Sequence, residues 1–184
     1  MPQTKILVDS NSYFRLAQNL HPLLSNPFGQ KSYTLYAHTD LTEEFKRTAR
    51  LQTKFDWFTE PKYVENRMRP LQLGAKERKA IDLTFSYMWE HVQEEKLGPS
   101  RVDVRILATA AECNILLVTD DQDLLKMGDM YGIHCLCSLE LMRLMYDAKH
   151  IKRSNVERVV EQWVFDRDEP ASFKSDLRKY FGVW

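Results

Sequence analysis

The chain has 184 residues, of which 43% are apolar, 11% aromatic and 28% charged; that is the make-up of a globular protein and excludes disorder, and the length predicts one domain able to bury roughly 70% of its unfolded surface without staples. Lys plus Arg and Asp plus Glu both number 26, so bulk charge does not announce a nucleic-acid partner, and any such partner must be argued from local charge. Apolar runs such as Ile115 to Val118 are too short to span a bilayer, no long apolar segment follows Lys5 as in a signal peptide, and three cysteines make no disulfide framework, so the expected compartment is the cytoplasm, with no membrane partner.

Lys5-Ile-Leu-Val-Asp9 is a short apolar run closing on an acid and predicts a buried strand. Ser12 to Leu24 spaces Tyr13, Leu16, Ala17 and Leu20 as a helix does, with Pro22 fraying its end. Asn26 to Gly29 reads as a turn, and Tyr33-Thr-Leu-Tyr-Ala37 as a second strand. A helix is expected from about Asp40, irregular chain over 53–72, and a long helix from about Gly74 to Lys96, stopped by Gly98-Pro99. Ser100 with Asp103 looks like a capping box opening a helix over 101–112, which Asn114 ends. Ile115 to Val118 and Ile133 to Cys137 read as two further strands. Between them lies a helix capped by Thr119 or Asp120 and ended by Gly132, and Ser138 caps another running to about Lys149. Two more helical stretches, about 154–165 and 171–181, finish the chain. Their apolar residues Val159, Val160, Trp163, Val164 and Phe165 suit either a homodimer face or closure of the core.

Strand, helix, strand, helix with apolar strands argues an α/β fold, a parallel sheet covered on both faces. In such sheets the functional crevice lies at the carboxyl ends of the strands. Acids gather there. Asp9 ends strand one, Asp120, Asp121 and Asp123 follow the third strand, Asp103 opens the helix leading into it, and Glu43 and Glu44 lie in the first turns after strand two. Singly, most of these acids suit a helix N-terminus; together, carboxylates so close would repel, and hard divalent cations such as Mg²⁺ or Mn²⁺ relieve that conflict. Asp40 as N-cap would occupy Glu43 in a capping box, which favours Glu44 over Glu43 as a ligand without excluding the latter; Asp120 as a cap leaves Asp121 free.

Charge is segregated. Residues 45–80 carry ten bases against four acids, a net of +6, whereas 101–150 carry five bases and eight acids, a net of −3. A basic surface beside an acidic pocket suits an enzyme that holds a phosphate polymer over bound cations. Lys46, Arg47, Arg50 and Lys54 follow Glu44 and are the candidate nucleic-acid contacts. Phe55, Trp57, Phe58 and Tyr63, interleaved with bases, are either core or a stacking surface for single strands.

Four pieces resemble the PIN-domain (PilT N-terminal) family of metal-dependent nucleases: Val8-Asp9-Ser10-Asn11, Glu44-Phe45, Asp103-Val-Arg-Ile-Leu-Ala108-Thr-Ala110, and Leu117-Val-Thr119-Asp-Asp121-Gln-Asp123-Leu124. The last two, in tandem across 101–124, are the most specific, and the resemblance spans about residues 4–145. It implies a three-layer Rossmann-like domain over 1–149, with four or five parallel strands, and a helical extension over 150–184 packed on it. It further implies that Asp9, Glu44, Asp103 and Asp121 are catalytic and hold Mg²⁺ or Mn²⁺, with Asp123 beside them and Asn11 and Thr119 as supporting polar groups. The implied activity is hydrolysis of phosphodiester bonds, in single-stranded RNA before DNA. Some members are toxins of toxin–antitoxin pairs, which implies an antitoxin partner covering the acidic pocket; a longer 50–100 stretch and the tail after 150 depart from those compact members. The alternative is a catalytically inactive PIN-like scaffold that binds nucleic acid or protein.

Other signals fail. Cys135 and Cys137 have no second pair at zinc-finger spacing, and the five histidines form no paired motif. There is no glycine-rich phosphate loop and no Gly-x-Ser-x-Gly elbow. A receiver domain would need an acid pair after strand one and a lysine after the last strand, where this chain has Asp9 alone and Cys137-Ser138; an Asp-x-Asp phosphatase fails because Asn11 stands at the second position.

Overall fold

The computed structural model describes residues 3–182. Four parallel strands, β1 (Thr4–Val8), β2 (Tyr33–Ala37), β3 (Leu116–Val118) and β4 (Cys135–Leu136), form one sheet in the order β2-β1-β3-β4. β1 is central, and its alternate residues supply both faces. Ile6 and Val8 join the apolar cluster on one side and Leu7 joins the cluster on the other, all at most 1% exposed.

One face is covered by α1 (Ser10–Ala17), α8 (Ser138–Asp147) and α9 (Arg153–Asp166), the other by α5 (Ala75–Glu95), α6 (Arg101–Cys113) and α7 (Gln122–Met130). This is the three-layer α/β arrangement expected of the alternating pattern. α9 packs on α1, where Trp163 Nε1 donates to the Arg15 carbonyl at 3.0 Å, and α10 (Phe173–Phe181) packs on α8. Val159 and Trp163 thus close the core, whereas Val164 and Phe165 are exposed. Among the described residues, no helix is long and apolar enough to cross a membrane.

Several local expectations change. The first helix starts at Ser10, because Asp9 caps it, and ends at Ala17, short of Pro22. The stretch read as irregular holds α3 (Ala49–Lys54), a short 3-10 turn (Asp56–Thr59) and α4 (Pro61–Arg67), with Pro61 at the first helical position, where its missing N–H costs nothing. α2 (Leu41–Arg47) lacks the expected cap: Asp40 makes no side-chain capping bond, and Glu43 turns to Lys46 instead. α5 stops at Lys96, which takes the left-handed conformation (φ 53°), before Gly98 is reached. Asn114 ends α6 in that same conformation, as expected. β4 spans two residues rather than five.

Candidate active site at the carboxyl edge of the sheet

The strands stop in register. Val8 pairs with both Ala37 and Val118, and Val118 pairs with Leu136. The next residues, His38, Asp9, Thr119 and Cys137, therefore form a row along one edge. Three helices begin there, capped by Asp9 (α1), Asp121 (α7) and Cys137 (α8).

Asp9 lies in the middle of this row and is only 3% exposed. Its N–H donates to the Val118 carbonyl at 3.0 Å, and its Oδ1 accepts the Ser12 N–H at 2.7 Å. Burial pushes its pKa up from 3.8 to about 7; hydrogen bonds from Thr119 and Ser12 oppose the shift, and the charge of Asp120 adds to it. Thr119 also accepts the Asp121 N–H on its hydroxyl at 3.1 Å. One buried hydroxyl thus links the two candidate ligands Asp9 and Asp121.

The other candidates lie in the caps or first turns of helices. Asp121 Oδ1 accepts the N–H groups of Asp123 and Leu124, both at 2.9 Å, so Asp121 and not Asp120 caps α7. Asp103 sits in a capping box with Ser100, its Oδ2 accepting the Ser100 N–H at 2.9 Å. Asp123 pairs with Lys126 at 3.2 Å and lies against Gly98 so closely that a Cβ there would meet Asp123 Oδ2 at 2.1 Å. The α5–α6 connection therefore abuts the start of α7, which brings the Asp103 and Asp123 segments together. Glu44 is half-buried and Asn11 exposed.

As they stand, Asp103 and Asp121 each spend one oxygen on backbone N–H groups of their own helices. Among the described residues, no three His, Cys, Asp or Glu side chains converge closely enough to hold a metal ion. The donor set is nevertheless all carboxylate, the class hard cations prefer, and the desolvated Asp9 is a carboxylate that a cation would stabilise. By chemistry the residues suit Mg²⁺ or Mn²⁺; engagement would require Asp103 and Asp121 to present their second oxygens or release their caps.

Sequence reasoning missed two features. Asp120, expected as a helix cap, is turned inward and 6% exposed. It accepts the Ser138 N–H at 2.9 Å, the Ser138 hydroxyl at 2.7 Å and Arg15 Nη1 at 3.2 Å. Arg15 and Lys54 both reach Asp168, at 3.3 and 2.8 Å. A chain of charges so links the edge to the loop between α9 and α10. The second feature is His38, buried at the end of β2 in the position that Asp9 holds on β1. Its Nδ1 accepts the Asp40 N–H at 3.3 Å, and burial lowers its pKa. Beside it opens a cavity of about 490 Å³ lined by Asp40, Arg78, Asp82 and Arg105. The only sequence signal for either was position, since His38 directly follows β2 and Asp120 lies two residues past the end of β3.

The basic candidates divide. Lys46 pairs with Glu43 at the surface, Arg47 and Arg50 are exposed, and Lys54 is committed to Asp168. Phe55, Trp57, Phe58 and Tyr63 are all at most 7% exposed; the first three pack with Tyr13 or Phe14 and Tyr63 packs on Trp57, so they belong to the core.

No protein-family model matches the chain, and no curated protein matches it significantly. Among solved structures it is similar to FitAcB from Neisseria gonorrhoeae, with 13% identity and a TM-score of 0.46 over 72% of this chain and 97% of that one. Fold and edge together define a parallel α/β protein with carboxylates at the strand ends.

Proposed function

We propose that the chain is a divalent-metal-dependent nuclease that hydrolyses phosphodiester bonds in single-stranded RNA. The observation that carries this reading is Asp9: a carboxylate buried at the carboxyl end of the central strand and tied through the Thr119 hydroxyl to the backbone of Asp121. Asp9 and Asp121, with Asp103 and Glu44, would hold one or two Mg²⁺ or Mn²⁺ ions, with Asp123 alongside. When bound, such ions supply a water of lowered pKa and neutralise charge on the phosphate. The chain's own share is placement. Thr119 orients Asp9, Ser12 N–H fixes one of its oxygens, and Asn11, exposed in the first turn of α1, would be a supporting polar group. Arg47 and Arg50, exposed beyond Glu44, would meet substrate phosphates. As the toxin of a toxin–antitoxin pair, the protein would meet an antitoxin across this same acidic edge.

A non-catalytic scaffold is favoured by one observation, the use of Asp103 and Asp121 as helix caps. Incubation with labelled single-stranded RNA and Mg²⁺ or Mn²⁺ separates the two. The nuclease reading expects cleavage that EDTA and Asp9→Asn both abolish, and Mn²⁺ binding by calorimetry that Asp9→Asn weakens at least tenfold. Full cleavage by Asp9→Asn, or intact RNA in the wild type, refutes it.

A further inference from the structure

Away from the strand ends, a cavity of about 510 Å³ opens among α2, α3, the 3-10 turn and α4. Its volume is within the roughly 300–1,000 Å³ typical of small-molecule sites. Phe45 and Phe58 form its apolar floor, and Met68, 73% exposed, leaves a large apolar side chain open to solvent beside them. Arg67 and Lys46, the latter paired with Glu43, also line it, and no carboxylate is among the lining residues. α2 carries both Phe45 and the candidate ligand Glu44.

Arg67 is held rigidly. Its guanidinium lies 3.5 Å from the centre of the Phe58 ring, Nη1 donates to the Tyr13 hydroxyl at 3.2 Å, and Nη2 donates to the Phe58 carbonyl at 2.9 Å. A planar cation fixed on one face and along its edge is a prepared stacking surface, since Arg planes and aromatic rings are where unpaired bases settle. Gln52 is fixed too. Its Nε2 donates to the Lys46 carbonyl at 3.0 Å, which leaves its side-chain oxygen as an acceptor in the cavity wall. An apolar floor, a pinned guanidinium, an amide and a lining without a carboxylate match a nucleobase beside a phosphate.

We propose that this cavity receives one unstacked base of a single-stranded RNA, with Arg67 stacking on it and Met68 closing over it. The proposal rests on the nucleic-acid part of the reading above and not on cleavage. The test is fluorescence anisotropy in EDTA with the full chain. It compares a labelled RNA octamer with the same octamer carrying abasic ribose at its internal positions. The intact octamer should bind at least tenfold more tightly. Arg67→Lys keeps the charge but loses the plane, so it should erase that difference while leaving affinity for the abasic octamer nearly unchanged. Met68→Ala, a surface change, should reduce the difference several-fold and serves if Arg67→Lys fails to fold. Equal affinities for the two octamers, or no binding of either, overturn the proposal. Self-association of the free protein that Met68→Glu abolishes overturns it as well, by assigning the cavity to a second copy. Base-dependent binding without cleavage would refute the nuclease and leave this pocket standing; cleavage with equal affinities would do the reverse.

Discussion

Replacing Asp120 by Ala isolates the inward-facing charge network. In the wild type its carboxylate, 2% exposed, accepts two bonds from Ser138 and one from Arg15. The substitution strands the Ser138 N–H and hydroxyl in a buried place and removes one of Arg15's two counterions. Unsatisfied buried donors cost about 1–3 kcal/mol, and breaking a buried pair from one side costs about 3–5 kcal/mol. These overlap rather than add, and Arg15 keeps Asp168, so the expected loss is about 3–5 kcal/mol. For a chain of this size that lowers Tm by roughly 6–20 °C. Asp120→Asn keeps an acceptor for Ser138 and should lose less, about 1–3 kcal/mol. Urea unfolding followed by tryptophan fluorescence measures both, since Trp57 and Trp163 are buried. In a double-mutant cycle, Arg15→Ala combined with Asp120→Ala should cost less than the sum of the singles. An Asp120→Ala protein within about 0.5 kcal/mol of wild type, the range of an ordinary surface change, would show that the network holds nothing together.

Three further outcomes are expected. Because Asp9 titrates near pH 7 in the fold against 3.8 in an exposed carboxyl, the folded chain keeps a proton that the unfolded chain has lost between those values; in EDTA the stability of wild type relative to Asp9→Asn should therefore fall as pH rises from about 4 to about 7, Asn preserving the α1 cap, and a flat difference across that window would contradict the burial argument. Burial pushes the Cys135 and Cys137 thiols up to about 12 and raises that of Cys113, so Ellman's reagent at pH 8 should react slowly with the native protein and quickly with all three thiols after unfolding; a fast native phase that Cys137→Ser removes would refute this. At Gly128 an added Cβ would meet Cys135 Sγ at 2.6 Å, so Gly128→Ala should cost about 1–3 kcal/mol, and Cys135→Ala in the same chain should recover most of it in a urea titration.

Much of the framework was legible because it rests on short-range patterns. Apolar runs at Ile6 to Val8 and Leu35 marked strands, and the Ser100–Asp103 box and Asn114 marked both ends of α6. The position of Asp9 followed from the same logic, since a charge at the end of a buried strand of a parallel sheet must sit at its carboxyl edge. What failed depends on rotation and distance. Which of Asp120 and Asp121 caps α7 is decided by one backbone turn, and the winner is fixed by Arg15 and Ser138, partners far away in the chain. The aromatics of 55–63 were ambiguous because spacing alone does not separate a base platform from a core when the helices carrying them are a turn or two long. The Lys54–Asp168 pair joins α3 to the loop before α10, a contact no local window contains.

The sheet order has a consequence for synthesis. β1 is made before both of its neighbours, yet it sits between β2 and β3, and the partner beside Asp9 is Val118. A nascent chain therefore displays Asp9 on a strand with one open flank until the segment through Val118 has been made. The edge, and whatever chemistry it performs, stays latent until the later segments are released and dock.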